Sequence, residues 1–195
     1  SDKTLLRQRA RYLSAAENFS RLYPKCGEIR VFSASGRSEI GGNHTDHQHG
    51  RVIAAAVGLD VIAIVSFTDE NVIRIRSEGY PADEIALDDL SVHPDEKGTS
   101  AALIRGIAAK FAENGTVLQG FDAYTTSDVI GGSGLSSSAA FEVLVGTILD
   151  LGCNNGAAGA VEIAKIGQYA ENVYFGKASG LMDQMVSSVG GFVFI

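Results

Sequence analysis

The chain has 195 residues, and no apolar run approaches the roughly 20 residues that cross a bilayer. Its net charge of −7, with 16 scattered Lys and Arg residues, excludes a broad nucleic-acid surface, which needs clustered cations. Only two cysteines, Cys26 and Cys153, are present, and the N-terminus has no apolar signal core. We therefore expect a single soluble, cytoplasmic domain that binds neither nucleic acid nor membrane.

The beginning of the chain predicts one helix followed by a strand. Apolar residues recur at helical spacing through residues 3–22, and Pro24 ends the pattern. Residues 28–34 alternate like a half-buried strand and lead into Gly36. A strand is therefore expected to deliver the first glycine cluster.

The middle of the chain predicts a strand pair, a surface segment and a helix. Residues 61–67 and 72–76 are strand-like and flank a short polar turn, which predicts an antiparallel pair. The acidic segment 81–97 predicts a surface loop with short strand or helix pieces. A helix capped by Thr99 or Ser100 follows.

The last part of the chain is mostly helical in pattern. A strand at 120–126 precedes helices predicted at 135–149, 156–173 and 181–187, and a strand begins at 191–195. Strands come early and helices late, without βαβ alternation, so we predict an α+β fold with a mainly antiparallel sheet packed with helices. The apolar ending has no cap, and we expect the natural protein to be longer.

The first motif with chemical potential is the segment GRSEIGGNHTDHQHG at residues 36–50. It gathers a cation, imidazoles and carboxylates in a glycine-punctuated loop after a strand, where functional groups are often found. Two other interpretations remain open from these residues alone. The segment could be a polar surface turn, or a metal site built from His44, His47 and His49.

The second motif is the segment GGSGLSSSAA at residues 131–140. Glycines let the main chain approach a ligand, and the unpaired N–H groups at a helix start attract anions. The hydroxyls of Ser136, Ser137 and Ser138 can bind phosphate oxygens or a metal ion. A flexible linker is the alternative, but a good helix pattern follows directly, so we interpret the segment as an anion cradle.

The third motif is the segment 171–184, where a helix bearing Glu171 ends in a glycine-containing loop and Asp183 lies at the start of another helix. An acid in the first turn of a helix is favoured by the helix dipole. Taken alone, Asp183 is therefore better explained as a helix cap.

Together the three segments resemble the galactokinase branch of the GHMP kinase family. Its opening signature is matched at Gly36, Arg37, Gly42, His44, Thr45 and Asp46. Its phosphate loop is matched throughout residues 132–139, and its Gly-Ile-Met-Asp-Gln segment by Gly180, Leu181, Met182, Asp183 and Gln184. The order and separations also fit, so the resemblance covers essentially the whole chain.

The resemblance implies that residues 1–195 form a GHMP kinase N-terminal domain, similar to the second domain of ribosomal protein S5. The partner C-terminal domain would lie outside this chain. It further implies an ATP-dependent sugar 1-kinase that acts on galactose. Asp183 would be the base for the anomeric hydroxyl, and Arg37 would favour its charged form and stabilise the transferring phosphoryl group.

Ligand sites follow from the same resemblance. Mg²⁺, the expected cofactor, would bind Ser138 and Glu171, because it prefers oxygen donors. The sugar would contact His44 and Asp46. Two further candidates for the sugar site are Asn43 and Gly180. The residues implied to bind the ATP phosphates are Gly132, Ser133, Gly134, Leu135, Ser136, Ser137 and Ser138.

The sequence departs from the family pattern at several positions. Glu39 replaces the family's Asn, Asn43 replaces its Glu, and His47-Gln48 replace its Tyr-Asn. Ile130 stands where the phosphate loop usually opens with proline. Because the family contacts the outer sugar hydroxyl from the position of Asn43, a galactose relative is an alternative substrate.

Two further functions compete with a galactose kinase. A sugar sensor would bind sugar and nucleotide without turnover, but such sensors shorten the serine run, which is intact here at residues 136–138. A GHMP enzyme for mevalonate or homoserine is disfavoured by the segment His44-Thr45-Asp46. We expect the isolated chain to be inactive, because the family's cleft lies between two domains.

Overall fold

A β-sheet lies at the centre of the molecule. The structure is a computed structural model and describes residues 2–43, 45–48 and 50–195. The strand order is β1-β2-β5-β3-β4, and β6 pairs with the first residues of β2. Pairing is antiparallel except between β3 and β5. The strands are β1 (Arg30–Gly41), β2 (Ile53–Phe67), β3 (Val72–Ser77), β4 (Ala82–Ala86), β5 (Phe121–Ser127) and β6 (Phe192–Phe194).

Five α-helices surround the sheet. The first, α1, covers one face, and α2 to α4 pack on the other. None of the helices in the described ranges is long and apolar enough to cross a membrane. The helices are α1 (Asp2–Leu22), α2 (Ser100–Glu113), α3 (Ser137–Cys153), α4 (Gly159–Tyr169) and α5 (Met182–Val189). The predicted α+β class is confirmed.

Strand β2 holds the two layers together because it is buried on both faces. Alternate residues point in opposite directions along a strand. Ile62 and Ile64 contact the α1 layer, whereas Val61, Ala63 and Val65 join the core beneath α2 and α3. This double burial explains why the sequence is continuously apolar there.

The predicted pairing of residues 61–67 with 72–76 is wrong. The two segments belong to β2 and β3, and β5 lies between them, antiparallel to β2 and parallel to β3. Gly120 makes this insertion possible, because a Cβ there would lie 2.1 Å from the carbonyl oxygen of Glu70 and 2.4 Å from that of Val72. The alternation of apolar and polar residues within one segment does not show which other strand lies beside it in the sheet.

Several element boundaries also differ from prediction. Strand β1 continues past Gly36 to Gly41, and α3 begins at Ser137 because Gly134 and Ser136 adopt positive φ angles of 79° and 55°. The helix predicted over 156–173 is α4 followed by a π-helical turn, Ala170–Phe175. Helix α2 starts as expected, with the Thr99 side chain accepting a hydrogen bond from the Ala102 amide.

Candidate active site

An ion pair joins the first and third motifs. On β1, Arg37 is only 6% exposed, and its Nε donates to Oδ1 of Asp183 at 2.7 Å. Its Nη1 donates to the carbonyl oxygen of Gly134 at 2.5 Å. The other carboxylate oxygen of Asp183, Oδ2, accepts from the hydroxyl of Ser136. One guanidinium and one carboxylate therefore connect all three predicted motifs.

The backbone of β1 directs Arg37 toward this point. The pairing of β1 with β2 shifts register between Ser35 and Arg37, and such a bulge re-aims the side chain that follows it. A Cβ at Gly36 would lie 2.9 Å from the carbonyl oxygen of Leu135, so glycine permits close approach of the loop. The Arg37 amide then donates to that same oxygen at 3.1 Å.

The phosphate-loop candidates surround the start of α3. The first helical hydrogen bond runs from the Ala140 amide to the Ser136 carbonyl at 3.1 Å, so the helix itself does not use the amides of residues 137–139. Gly132, Ser133 and Gly134 are exposed in front of it. This arrangement presents N–H groups and hydroxyls at the positive end of a helix dipole, which suits an anion.

A second corner of the site joins Asp46 to the start of α5. Asp46 lies in a short 3-10 turn, Asp46–Gln48, and its Oδ2 accepts from the Met182 amide at 2.9 Å. Its Oδ1 is buried without a hydrogen-bond partner among the described residues. A buried acceptor left without a partner is costly, so this oxygen is suited to receive a ligand hydroxyl. The predicted contact of His44 falls outside the described residues.

Gly180 is required for this corner, and we expect Gly180→Ala to disrupt it. A Cβ at Gly180 would lie 1.9 Å from Asp46 Oδ2 and 2.8 Å from the His47 amide nitrogen, so the backbone must move. Displacements of about 1 Å can cost about 100-fold in rate. For the sugar-kinase activity that the resemblance implies, we expect kcat/KM for sugar to fall by about that factor in the full-length protein.

The matched control for this substitution is Gly58→Ala in β2, where a new Cβ meets nothing within 4 Å. Steady-state kinetics with sugar as the varied substrate makes the comparison. Unchanged sugar kinetics in Gly180→Ala would contradict the requirement for glycine.

A buried polar cluster lies beside the ion pair. Glu142 of α3 is 0% exposed and Glu171 of the π-helical turn is 2% exposed. The Gln184 side-chain amide nitrogen donates to both, at 2.8 Å to Glu142 Oε2 and 2.9 Å to Glu171 Oε2. Lys177 Nζ donates to Glu171 Oε1 at 2.8 Å. Burial and, secondarily, the charge of Glu171 raise the pKa of Glu142 to about 8.

The raised pKa of Glu142 predicts a pH-dependent stability. Between pH 4.5, the ordinary value for a Glu carboxyl, and about 8, the folded protein retains a proton that the unfolded chain releases. Folding stability attributable to this group is therefore complete below that window and is lost as pH rises through it. We expect Glu142→Gln, which stays neutral, to unfold at least about 2 °C higher than the unsubstituted protein at pH 8.5.

Thermal melts from pH 5 to 8.5 in metal-free buffer test this expectation. Glu113→Gln, an exposed position at the end of α2, is the control. The Glu142→Gln melting profile should be flatter than that of the control. Parallel profiles for the two variants would contradict the assignment.

The two metal candidates are connected indirectly. Ser138 precedes Glu142 by four residues on α3, so the two side chains share one helix face. Glu142 and Glu171 share the Gln184 donor. No hydrogen bond joins Ser138 to Glu171 among the contacts of the described residues.

The 132–138 loop adjoins a cavity of about 640 Å³, within the usual range for small-molecule sites. Its wall includes Thr99, which caps α2, Leu103 of α2, Thr125 of β5, and Ser137 and Ser138 of α3. A smaller cavity, about 240 Å³, lies between α1 and β3 and contains none of the predicted site residues.

The structure thus brings Arg37, Asp183 and the 132–138 loop together, and brings Asp46 beside Gly180. Asn43 is exposed with φ of 57°, a left-handed conformation that Asn tolerates better than most residues. Sequence reasoning missed the cavity wall and the cluster partners Glu142, Gln184 and Lys177. An acid within the apolar helix pattern of α3 was the available signal for Glu142.

Comparison with known proteins shows which class of protein this fold and site belong to. Residues 102–191 match the family model described as GHMP kinases N terminal domain. A mevalonate kinase from Methanococcus jannaschii shares the fold, with a TM-score of 0.72 at 20% identity over 87% of this chain and 54% of that chain. The fold and the match define the N-terminal domain of a GHMP kinase.

More similar proteins show which branch of the GHMP kinases the chain belongs to. Residues 17–67 match the model described as the galactokinase galactose-binding signature. Galactokinases of Lactobacillus helveticus and Streptomyces coelicolor are 36% and 34% identical over 82% and 90% of the chain. Lactococcus lactis galactokinase complexed with galactose superposes with a TM-score of 0.81 at 28% identity, over 90% of this chain and 46% of that chain. The chain belongs to the galactokinase family of GHMP kinases.

The match covers only part of these relatives. The chain spans 42% of the Lactobacillus helveticus protein and 45% of the Streptomyces coelicolor protein.

Proposed function

We propose that the full-length protein transfers the γ-phosphoryl group of ATP to the anomeric hydroxyl of galactose, giving galactose 1-phosphate and ADP. The observation that carries the proposal is the Arg37–Asp183 ion pair, located between an anion-binding helix start and the Asp46 corner. A base, a cation and a phosphate cradle within one set of hydrogen bonds are the parts that phosphoryl transfer needs.

The proposed roles follow from the contacts. Arg37 holds Oδ1 of Asp183, and the Ser136 hydroxyl holds Oδ2, so the carboxylate has a fixed orientation. Asp183 would take the proton of the sugar hydroxyl as that oxygen attacks phosphorus. The charge of Arg37 would stabilise the negative charge spread over the transferring group.

ATP is proposed to bind with its phosphates against the 132–138 loop and its nucleoside in the adjoining cavity of about 640 Å³. Ser137 and Ser138 belong to both the loop and the cavity wall, which supports a ligand continuous between them. The amides of residues 137–139 would donate to phosphate oxygens.

The residues present fit a magnesium ion. Glu171 and Ser138 offer oxygen ligands of the kind that Mg²⁺ prefers, and Glu142 Oε1, in the same buried cluster as Glu171, has no hydrogen-bond partner among the described residues. When bound, the ion would neutralise charge on the phosphates. We propose Glu171 and Ser138 as its protein ligands.

Galactose is the proposed sugar, and a galactose relative is the alternative. Asp46 Oδ1 is the acceptor available for a sugar hydroxyl. Asn43 offers a neutral amide where the family pattern has a carboxylate, which changes what can be recognised at the outer hydroxyl. A site built to pair a hydroxyl rejects analogues that lack it.

A second domain is proposed to complete the cleft in the full-length protein. The relatives are more than twice as long as the segment that this chain matches. The phosphate loop is exposed in the described structure, as expected for one wall of a two-domain cleft.

A substrate panel tests the proposed function. Full-length protein with ATP and Mg²⁺ is given galactose, galactosamine, N-acetylgalactosamine, glucose or arabinose, and ADP release is measured. Galactose or a close relative should give the highest kcat/KM. Sugar binding without turnover for every sugar would favour the sensor alternative and reject the kinase.

A further inference from the structure

Lys177 occupies an unusual position beside the buried carboxylates. Its Nζ lies 2.8 Å from Oε1 of Glu171, whose side chain is 3% exposed, whereas the Lys177 side chain is 55% exposed. The lysine therefore approaches a buried charge from the solvent side. It follows the π-helical turn and Gly176, where the left-handed φ of 83° ends the helix.

Gln184 is a donor that two acidic side chains share. Its Nε2 lies between Glu142 and Glu171, while Glu142 Oε1 and Gln184 Oε1 are buried without hydrogen-bond partners among the described residues. A buried carboxylate needs a positive partner, because removing charge from water is costly. Among the described contacts, Lys177 supplies the one salt bridge to this cluster.

We propose that Lys177 is a built-in counter-ion that holds Glu171 while the divalent cation is absent and withdraws when the cation binds, so that it sets the affinity of the site for the metal. This inference rests on the proposed metal role of Glu171. Lys177 is a positioning residue, since it acts through Glu171.

The two side chains that bind Glu171 differ in burial, which supports this assignment. Gln184 is fully buried on α5 and donates to both Glu142 and Glu171, so it keeps Glu171 oriented whichever cation is present. Lys177 has a long, flexible and largely exposed side chain, and its ammonium can return to water without opening the core. A cation and the ammonium would compete for the same oxygen, Oε1.

Competition makes two opposite predictions for Lys177→Met. Without metal, Glu171 loses its cationic partner, and the full-length protein should melt at a lower temperature than the unsubstituted protein. With a divalent cation, the competitor is gone, and the affinity should rise by roughly fivefold or more. Binding of metal should therefore restore the lost thermal stability.

Thermal melts and Mn²⁺ titration by electron paramagnetic resonance test the proposal, without ATP or sugar. Lys165→Met is the matched control, because Lys165 pairs with Glu162 on the exposed surface of α4 at 3.5 Å. Lys177→Arg keeps the charge and should retain an affinity close to that of the unsubstituted protein. If Lys177→Met does not fold, Lys177→Gln removes the charge while keeping a donor for Oε1.

The outcomes separate the proposal from a structural ion pair. Lower metal-free stability with tighter Mn²⁺ binding, absent in Lys165→Met, supports it. Lower stability with unchanged Mn²⁺ affinity overturns it, as does an unchanged profile in both readouts. Because the titration needs no turnover, a failure of the substrate panel leaves this result readable on its own.

Discussion

Asp183→Asn is expected to lower kcat by about 100- to 10,000-fold while the full-length protein still binds sugar, because general-base catalysis contributes that range. Asn has nearly the same shape as Asp and can still contact Arg37 and Ser136. It cannot accept the proton of the sugar hydroxyl as a carboxylate does. Steady-state kinetics combined with sugar binding by calorimetry separates lost chemistry from lost binding.

Asp88→Asn is the control for this substitution, because Asp88 lies exposed between β4 and the 3-10 turn Pro94–Glu96. Thermal melts accompany both variants, since Arg37 loses its charged partner in Asp183→Asn. A stable Asp183→Asn protein with a kcat near that of the control would exclude Asp183 as the base.

Arg37→Met is expected to lower kcat by about 1,000-fold or more, in line with other arginines that stabilise phosphoryl transfer. The buried guanidinium makes two hydrogen bonds in different directions, to Asp183 and to Gly134, and so joins Asp183 to the 132–138 loop. Its loss removes positive charge and also frees the orientation of the carboxylate. Breaking a buried pair also destabilises the fold, so melting must be measured in parallel.

Arg37→Lys isolates the geometric part of this effect. A lysine keeps the charge, but its compact ammonium does not reproduce the planar fork of arginine. We expect an intermediate kcat, between that of Arg37→Met and the unsubstituted protein. Arg30→Lys, at an exposed β1 position paired with Glu28, provides the control. An Arg37→Met variant that is as active as this control would remove Arg37 from the mechanism.

Elements that depend on local pattern were predictable from the sequence. Helix α2 has a capping Thr99 and a periodic apolar face, and α1 has a similar face with Pro24 beyond its end. These signals act within one turn or one face, so a short window contains them. The neighbours of a buried strand are distant in the sequence, so no short window contains a signal for them. The order of strands in the sheet could therefore not be predicted from the sequence.

The candidate site also has features that the sequence could predict and features that depend on the fold. Arg37 and Asp183 are 146 residues apart, and only motif resemblance linked them before the fold was known. Their contact depends on a bulge in β1 and on the glycine that admits Leu135, which are tertiary effects. Lys177 had no sequence signal, because a lysine after a glycine looks like ordinary surface until its distance to Glu171 is known.

We propose that phosphoryl transfer to the anomeric oxygen of a sugar takes place at the Arg37–Asp183 pair. Phosphorus NMR of full-length protein with ATP, Mg²⁺ and galactose tests it most directly. We expect a galactose 1-phosphate signal to grow together with that of ADP. Phosphate on a different hydroxyl, or no sugar phosphate from a folded protein that binds galactose, would contradict it.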